Sequence, residues 1–567
     1  MIYIYRKFFY SELQMPTLVN KQTYLESGQQ FETKQFSGVS YIDALLNRGG
    51  EGLGSGAPIK WVSDPYLTDE ESDNLITTIS YSFPRADGSS APYSYPDDVG
   101  EITPIAFNVK QQEDIRAALG EIEKFINVKF IEVIEDKESV GTIRFAMKTI
   151  TDEAGNYRAG IAATADPVSA EPRGGDVWFN KWFVEGDFSS GLVPMWLGGS
   201  ESPGSQTPIG DLTIMYHEIF HALGVEHPND NPDIPFPEDK NFREYTVMAG
   251  EFSVDGASTH IIDYKEYAVA STPMAYDVAA LQYLYGANSK HNSGDTVYTF
   301  DPNTPEIKLI WDGAGADTLN FMNFSESSTI NLNGGSYSTV PFNGWSLKNN
   351  ISIAFDAVIE NVISGSGADV IVGNSSNNVI TGGLGGDTID GDAGIDQAVY
   401  TENSTDVSLV NSGTVWNITS GTDKDTLRNI ERLKFNDKHI ALDLDGNAGK
   451  TIKLLGLLLG KDQATDKTYV GAGLKILDDG MPYEQLMQAA LDVILGANAS
   501  SLSIVEMIWE NLIGPPTPAD NIGQYSALID NGTYTAAELA IVAADHSLNT
   551  TAIDLVGLAL TGVEYAI

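Results

Sequence analysis

Residues 217–227 read HEIFHALGVEH, which places three of the chain's seven histidines within one short stretch. The spacing His-Glu-x-x-His-x-x-Gly-x-x-His suits a metal centre built on one helix. His217 and His221 stand at i and i+4, one turn apart on one face, so both imidazoles can bind a single ion. Glu218 lies beside that face, where it can serve as general base toward water without being a ligand. Gly224 can take the left-handed conformation that ends a helix sharply, turning the chain back to deliver His227 as third ligand. Three protein ligands with one open position are what catalytic rather than structural zinc requires. The other histidines, His260, His291, His439 and His546, are scattered and read as surface residues.

A second constellation follows at 364–399, four consecutive nonapeptides: SGSGADVIV, GNSSNNVIT, GGLGGDTID and GDAGIDQAV. The template Gly-Gly-x-Gly-x-Asp-x-apolar-x forms a parallel β-roll, a β-solenoid, with calcium between successive turns. A flexible glycine-rich linker would not carry an apolar residue at every ninth position, as Ile371, Ile380, Ile389 and Ala398 do. Gly365, Gly367, Gly382, Gly383, Gly385, Gly391 and Gly394 are expected to supply positive φ and exposed carbonyls to the ions. Asp369, Asp387 and Asp396 supply carboxylate oxygens for a hard cation. Two nonapeptides complete one coil, so Asp369 should stack with Asp387, and Asn378 with Asp396. The second edge, with one carboxylate and one amide, is expected to bind calcium more weakly.

These residues need elements to hold them. Strands are expected at ITTISYSFP, Phe130–Ile134, Thr142–Phe145 and GGDVWFN, with a helix through Ile115, Leu119, Ile122 and Ile126. Further helices are expected over 212–223 and about 275–285, the latter ending on Gly286. Helix signals vanish from 310 to 400 and return after 447, as at Glu484–Leu495, Ser503–Leu512 and Ala536–Ala544. The fold class expected is therefore multidomain: an α+β domain carrying the histidine motif (37–289), a calcium-binding β-roll (290–446) and an all-α C-terminal domain (447–567). Residues 1–36 are read as a polar tail or propeptide.

Composition narrows the partners. With 33 basic and 78 acidic residues the 567-residue chain carries −45, which argues against nucleic acid and anionic membranes and favours divalent cations. No cysteine is present, so disulfides, thiolate metal sites and cysteine nucleophiles are excluded. The apolar run within TIKLLGLLLG is far short of the roughly 20 residues of a spanning helix. GNAGKT at 446–451 lacks the spacing of a phosphate loop, and DLDGN at 443–447 lacks the later ligands of an EF-hand; the latter is read as a turn capping the next helix.

The histidine motif is the metzincin signature, and its surroundings resemble the serralysin family of bacterial zinc endopeptidases. The motif runs into Pro228, REYTVMAG (243–250) resembles the family's Met-turn with Met248 beneath the zinc, and YIDALL, YSFP, GGDVWFN and PMAYDVAALQYLYGAN match further. WDGAGADTLNF (311–321) is similar to the family's first calcium loop, which implies Asp312 and Asp317 as ligands, joined by Glu360. The resemblance implies a secreted, monomeric endopeptidase acting on proteins or peptides, with one catalytic Zn2+ and several structural Ca2+ ions. It also implies export by the type I secretion machinery, since no N-terminal signal is evident and GVEYAI resembles a C-terminal one. Two departures stand out. Gly250 replaces the family's tyrosine two residues after the Met-turn methionine, and Phe220, where glycine is common, is expected to narrow the site. They motivate an alternative, a cell-surface or matrix calcium-binding protein with a residual protease domain.

Overall fold

The computed structural model describes residues 31–47, 57–63, 76–90, 104–136, 140–150, 163–169, 173–181, 212–231, 233–249, 270–517 and 520–567. Most of the expected tail (1–30) and Gly250 lie outside the described residues. The chain divides into two compact units. One comprises 1–295, 303–315 and 334–357; the other comprises 296–302, 316–333 and 358–567.

In the first unit, β1 (Phe31–Thr33) pairs antiparallel with β2 (Ile59–Trp61), so the last residues read as tail are sheet-bonded here. A five-stranded sheet is built from β3 (Thr77–Ser82), β4 (Val128–Glu132), β5 (Ile143–Lys148), β6 (Ala163–Ala165) and β7 (Asp176–Asn180). Its order is β4-β3-β5-β7-β6; all pairs are parallel except β6, an antiparallel edge strand with Ala163 opposite Phe179. The crossover from β3 to β4 is α1 (Val109–Phe125). Asn108 and Gln111 close a capping box at its start, and Ile115, Ala118, Leu119, Ile122 and Phe125 form its buried stripe.

Two further helices bear on function. α2 spans Leu212–Leu223 and carries the histidine motif. Its last carbonyls, which no helical N–H can reach, are taken by buried side chains: Trp61 Nε1 donates to Ala222 O at 2.7 Å and Tyr285 Oη to Leu223 O at 2.8 Å. α3 (Ala275–Tyr285) is buried almost all round and ends at Gly286, with φ of 85°. An apolar helix without a wet face is what a core position selects.

The second unit is fed by short parallel strands that alternate between two sheets. Val370 faces Thr388 and Val379 faces Gln397, the eighteen-residue step of one coil per two nonapeptides. Ile371, Ile380, Ile389 and Ala398 are all buried, as the ninth-residue period requires. The coil starts before the repeats, through Val297–Thr299, Thr318–Asn320 and Thr329–Asn331. It continues after them through Asp423–Arg428 and Arg432–Lys434, beyond an antiparallel hairpin of Ser408–Asn411 and Trp416–Ser420. The GVEYAI segment contributes Val563–Tyr565, antiparallel to His439–Ala441 on the eight-stranded sheet. Helices then run from Asn447–Leu459 to Leu555–Thr561. The DLDGN turn does cap the first of them, since the Asp443 carboxylate accepts from Asn447 N at 2.7 Å. Buried Arg432 joins strand to helices, pairing with Asp443 at 2.5 Å and Asp478 at 2.8 Å.

Candidate metal centre

α2 projects His217 and His221 from one face, and the chain leaves it at Gly224 with φ of 100°. A Cβ there would stand 2.5 Å from Ile59 O, so both backbone conformation and space demand glycine. The segment after the turn is pinned by Leu45 and Asn47, which exchange backbone bonds with Glu226 and Gly224 at 2.8 and 2.9 Å. His227 is thereby returned to the face of α2. The three Nε2 atoms converge at 3.1, 3.2 and 3.2 Å.

Ligands roughly 2.0–2.1 Å from a tetrahedral zinc stand about 3.3–3.4 Å apart, so the constellation fits that ion. Each Nδ1 faces an acceptor: Val247 O for His217, Val225 O for His221 and Asp230 Oδ2 for His227, all at 2.8 Å. An acceptor at Nδ1 keeps the proton there and leaves the Nε2 lone pair for metal. Burial, reinforced by the neighbouring His221, pushes His217 down to about 3; burial, reinforced by His227, pushes His221 down to about 4. Neutral imidazoles are the ligating form.

Glu218 lies in the same cleft, of about 490 Å³, and burial pushes its carboxyl up to about 8. A carboxyl with that value can both take and return a proton near neutrality. Edge strand β6, Thr213, Ile214, Arg243 and Val247 also line the cleft. Phe220 does not. It is fully buried and stacked on Tyr216, with ring centroids 6.1 Å apart, because its position on α2 faces the core; the expected narrowing of the site is corrected. Met248 is fully buried in a turn closed by Ala249 N and Thr246 O at 3.1 Å.

The carboxylates of the second unit form ladders along the turns. Asp369 N donates to Asp387 Oδ1 at 2.9 Å, and Asn378 N to Asp396 Oδ1 at 2.7 Å, the stacking expected from the repeat. Asp317 N donates to Glu360 Oε2 at 2.7 Å. Asp312 belongs to the first unit, where its Oδ1 accepts from Ala314 N at 3.0 Å. Each ladder extends beyond the repeats: Asp387 N donates to Asp425 Oδ1 at 2.9 Å, and Asp396 N to Glu431 Oε2 at 2.8 Å. The edge expected to be poorer in carboxylates therefore gains Glu431. Asp387 Oδ2 and Asp396 Oδ2 are buried without a hydrogen-bond donor among the described residues, an arrangement that suits a hard cation.

Positive φ occurs at Gly383, Gly385 and Gly394, and Asp392 adopts it too, whereas Gly365, Gly367, Gly382 and Gly391 are demanded by close approach. Asp425 and Glu431 escaped the sequence reading because the hairpin breaks the nine-residue step before them. Asp230 was also missed; a carboxylate three residues beyond His227 was the available signal.

Residues 276–455 match the family model described as Peptidase M10 serralysin C terminal. Serralysin of Proteus mirabilis is 30% identical over 53% of this chain and 60% of its own length. Metallopeptidase AprA of Pseudomonas marginalis is 31% identical over 48% and 56%, so the chain spans little more than half of these two relatives. Serralysin G of Dickeya chrysanthemi is 30% identical over 64% of this chain and 75% of its own length. On that extent of likeness, the chain belongs to the serralysin family of metalloproteases.

Proposed function

We propose that this chain is a secreted, zinc-dependent endopeptidase, of the metzincin type, that hydrolyses peptide bonds in extracellular proteins and is stabilised by calcium. The observation that carries the reading is the convergence of His217, His221 and His227 Nε2 within 3.2 Å of one another, in the cleft that holds Glu218. The three imidazoles would hold the ion. Bound zinc would supply Lewis acidity, polarising the scissile carbonyl and acidifying water.

The chain's own groups account for the rest. Glu218 takes the proton from the attacking water and passes it to the leaving amine, a shuttle suited to a carboxyl raised to about 8 by burial. β6 is a sheet edge along the cleft, and an extended peptide can add to such an edge through main-chain hydrogen bonds. Asp369, Asp387, Asp396, Asp317 and Glu360, with the turn carbonyls, would hold calcium in a β-roll. An unfolded roll at cytosolic calcium suits passage through a type I channel.

The test is hydrolysis of casein by the purified chain, with and without chelator. Glu218→Gln should lower kcat by about 10²–10⁴-fold while zinc stays bound. A wild-type chain that holds zinc and cleaves no protein substrate overturns the reading.

A further inference from the structure

Buried beside the Met-turn is a carboxylate that the reaction as described does not use. Asp277, in the first turn of α3, is fully buried, and no basic side chain pairs with it among the described residues. Its Oδ2 accepts from Val247 N at 2.9 Å and Met274 N at 3.0 Å; its Oδ1 accepts from Thr246 Oγ1 at 2.5 Å. Thr246 Oγ1 in turn accepts from Met248 N at 3.2 Å. Capping α3 needs only the bond to Met274 N. The remaining bonds are aimed at the turn whose Val247 carbonyl receives His217 Nδ1 at 2.8 Å.

We propose that Asp277 is a positioning residue for His217, acting through Thr246 Oγ1 and the Val247–Met248 peptide, with its bond to Val247 N fixing the same turn. A carbonyl can only accept, so His217 Nδ1 carries the proton and Nε2 keeps its lone pair for metal. Thr246 Oγ1 donates to Asp277 and accepts from Met248 N, the N–H of the peptide that carries the Val247 carbonyl, so the hydrogen bonds from Asp277 to His217 run in series and strengthen one another. The result is a carboxylate–peptide–histidine relay, the longer counterpart of the direct Asp230–His227 contact at 2.8 Å. A carboxylate accepts from all three donors; an amide at 277 could keep the two backbone N–H groups only by turning its NH2 toward Thr246 Oγ1, which reverses that hydrogen bond.

The inference rests on the zinc reading, and the experiment separates the two. Zinc dissociation constants are measured on the full chain in calcium by competition with a chromogenic chelator, and the visible spectrum of the cobalt-substituted chain is recorded. Asp277→Asn should weaken zinc by about 10- to 100-fold and alter the cobalt bands. Leu281→Ala, a core truncation in the same helix, should lower the melting temperature while leaving zinc affinity within about twofold. If Asp277→Asn fails to fold, Thr246→Val, which removes one link of the relay, decides the matter, with an expected loss of about threefold or more. Unchanged zinc affinity in the tested variant, or an equal loss in Leu281→Ala, overturns the inference alone. A wild-type chain that takes up no zinc overturns the zinc reading and this inference with it.

Discussion

Protons and calcium should compete for the same buried oxygens of the second unit, and their exchange can be measured. Burial, aided by Asp425 and Asp369, pushes Asp387 up to about 7; burial, aided by Glu431 and Asp392, does the same to Asp396. A rise from 3.8 to about 7 corresponds to about 4 kcal/mol per carboxylate at full strength. Water along the turns screens this to on the order of 2 kcal/mol each. Both folded values exceed the unfolded ones, so between about pH 4 and 7 the calcium-free folded chain binds more protons than the unfolded chain. Stability is therefore greatest at the acidic end of that window and falls as pH rises through 7.

The two carboxylates together cost about 4 kcal/mol at about pH 8, large beside a usual total of 5–15 kcal/mol. At roughly 2–4 °C per kcal/mol, the calcium-free melting temperature of the roll should drop by about 8–16 °C between about pH 5 and pH 8. Millimolar calcium should abolish that slope, and the calcium midpoint should rise as pH falls below 7. Circular dichroism melts in EGTA and in calcium test this, with Asp387→Asn/Asp396→Asn expected to lose both the slope and the calcium response. A calcium-free melting temperature that is flat or rises with pH refutes the reasoning, as does a double variant that keeps the wild-type slope.

Other substitutions probe single links. Gly383→Ala places a Cβ 1.8 Å from Gly365 O at a φ of 98°, so the roll should lose about 3 kcal/mol or more and demand more calcium; a normal midpoint would contradict this. Asp230→Ala removes the acceptor of His227 Nδ1 and should weaken zinc by about 10-fold or more in chelator competition. Gly250→Tyr places a hydroxyl donor where the family resemblance implies a tyrosine and should raise kcat on casein by up to about 100-fold with little change in KM. An unaltered kcat would show that this chain stabilises its transition state by other groups.

What could be read before folding is whatever repeats along a single stretch of backbone. The i, i+4 pair His217 and His221 follows from helical pitch, and Leu212–Leu223 appears as expected. The ninth-residue Ile371, Ile380 and Ile389 follow from the coil, and all three are buried. α1, α3 and the helices at Tyr483–Leu495 and Ala536–Ala544 were visible for the same reason, because apolar periodicity is local. Three-residue strands such as Val297–Thr299 and Thr329–Asn331 are too short to show a period, so the early coils of the second unit were legible only as a loss of helix signal.

Contacts between distant stretches carry no such trace. Trp61 and Tyr285 close the end of α2 from 161 and 62 residues away, and Asp277 reaches the Met-turn across 31 and 30. Asp425 and Glu431 join the carboxylate ladders only after a hairpin has been looped out. Phe220 illustrates the same limit within one helix. The motif states its spacing from His217 and His221, but which side of α2 meets the core depends on the partners that burial selects, and these put its ring on Tyr216. Pitch and repeat are properties of the backbone alone, whereas an acceptor that orients a histidine from a distant stretch, as Val247 O does His217, meets it only when packing brings the two within hydrogen-bond reach.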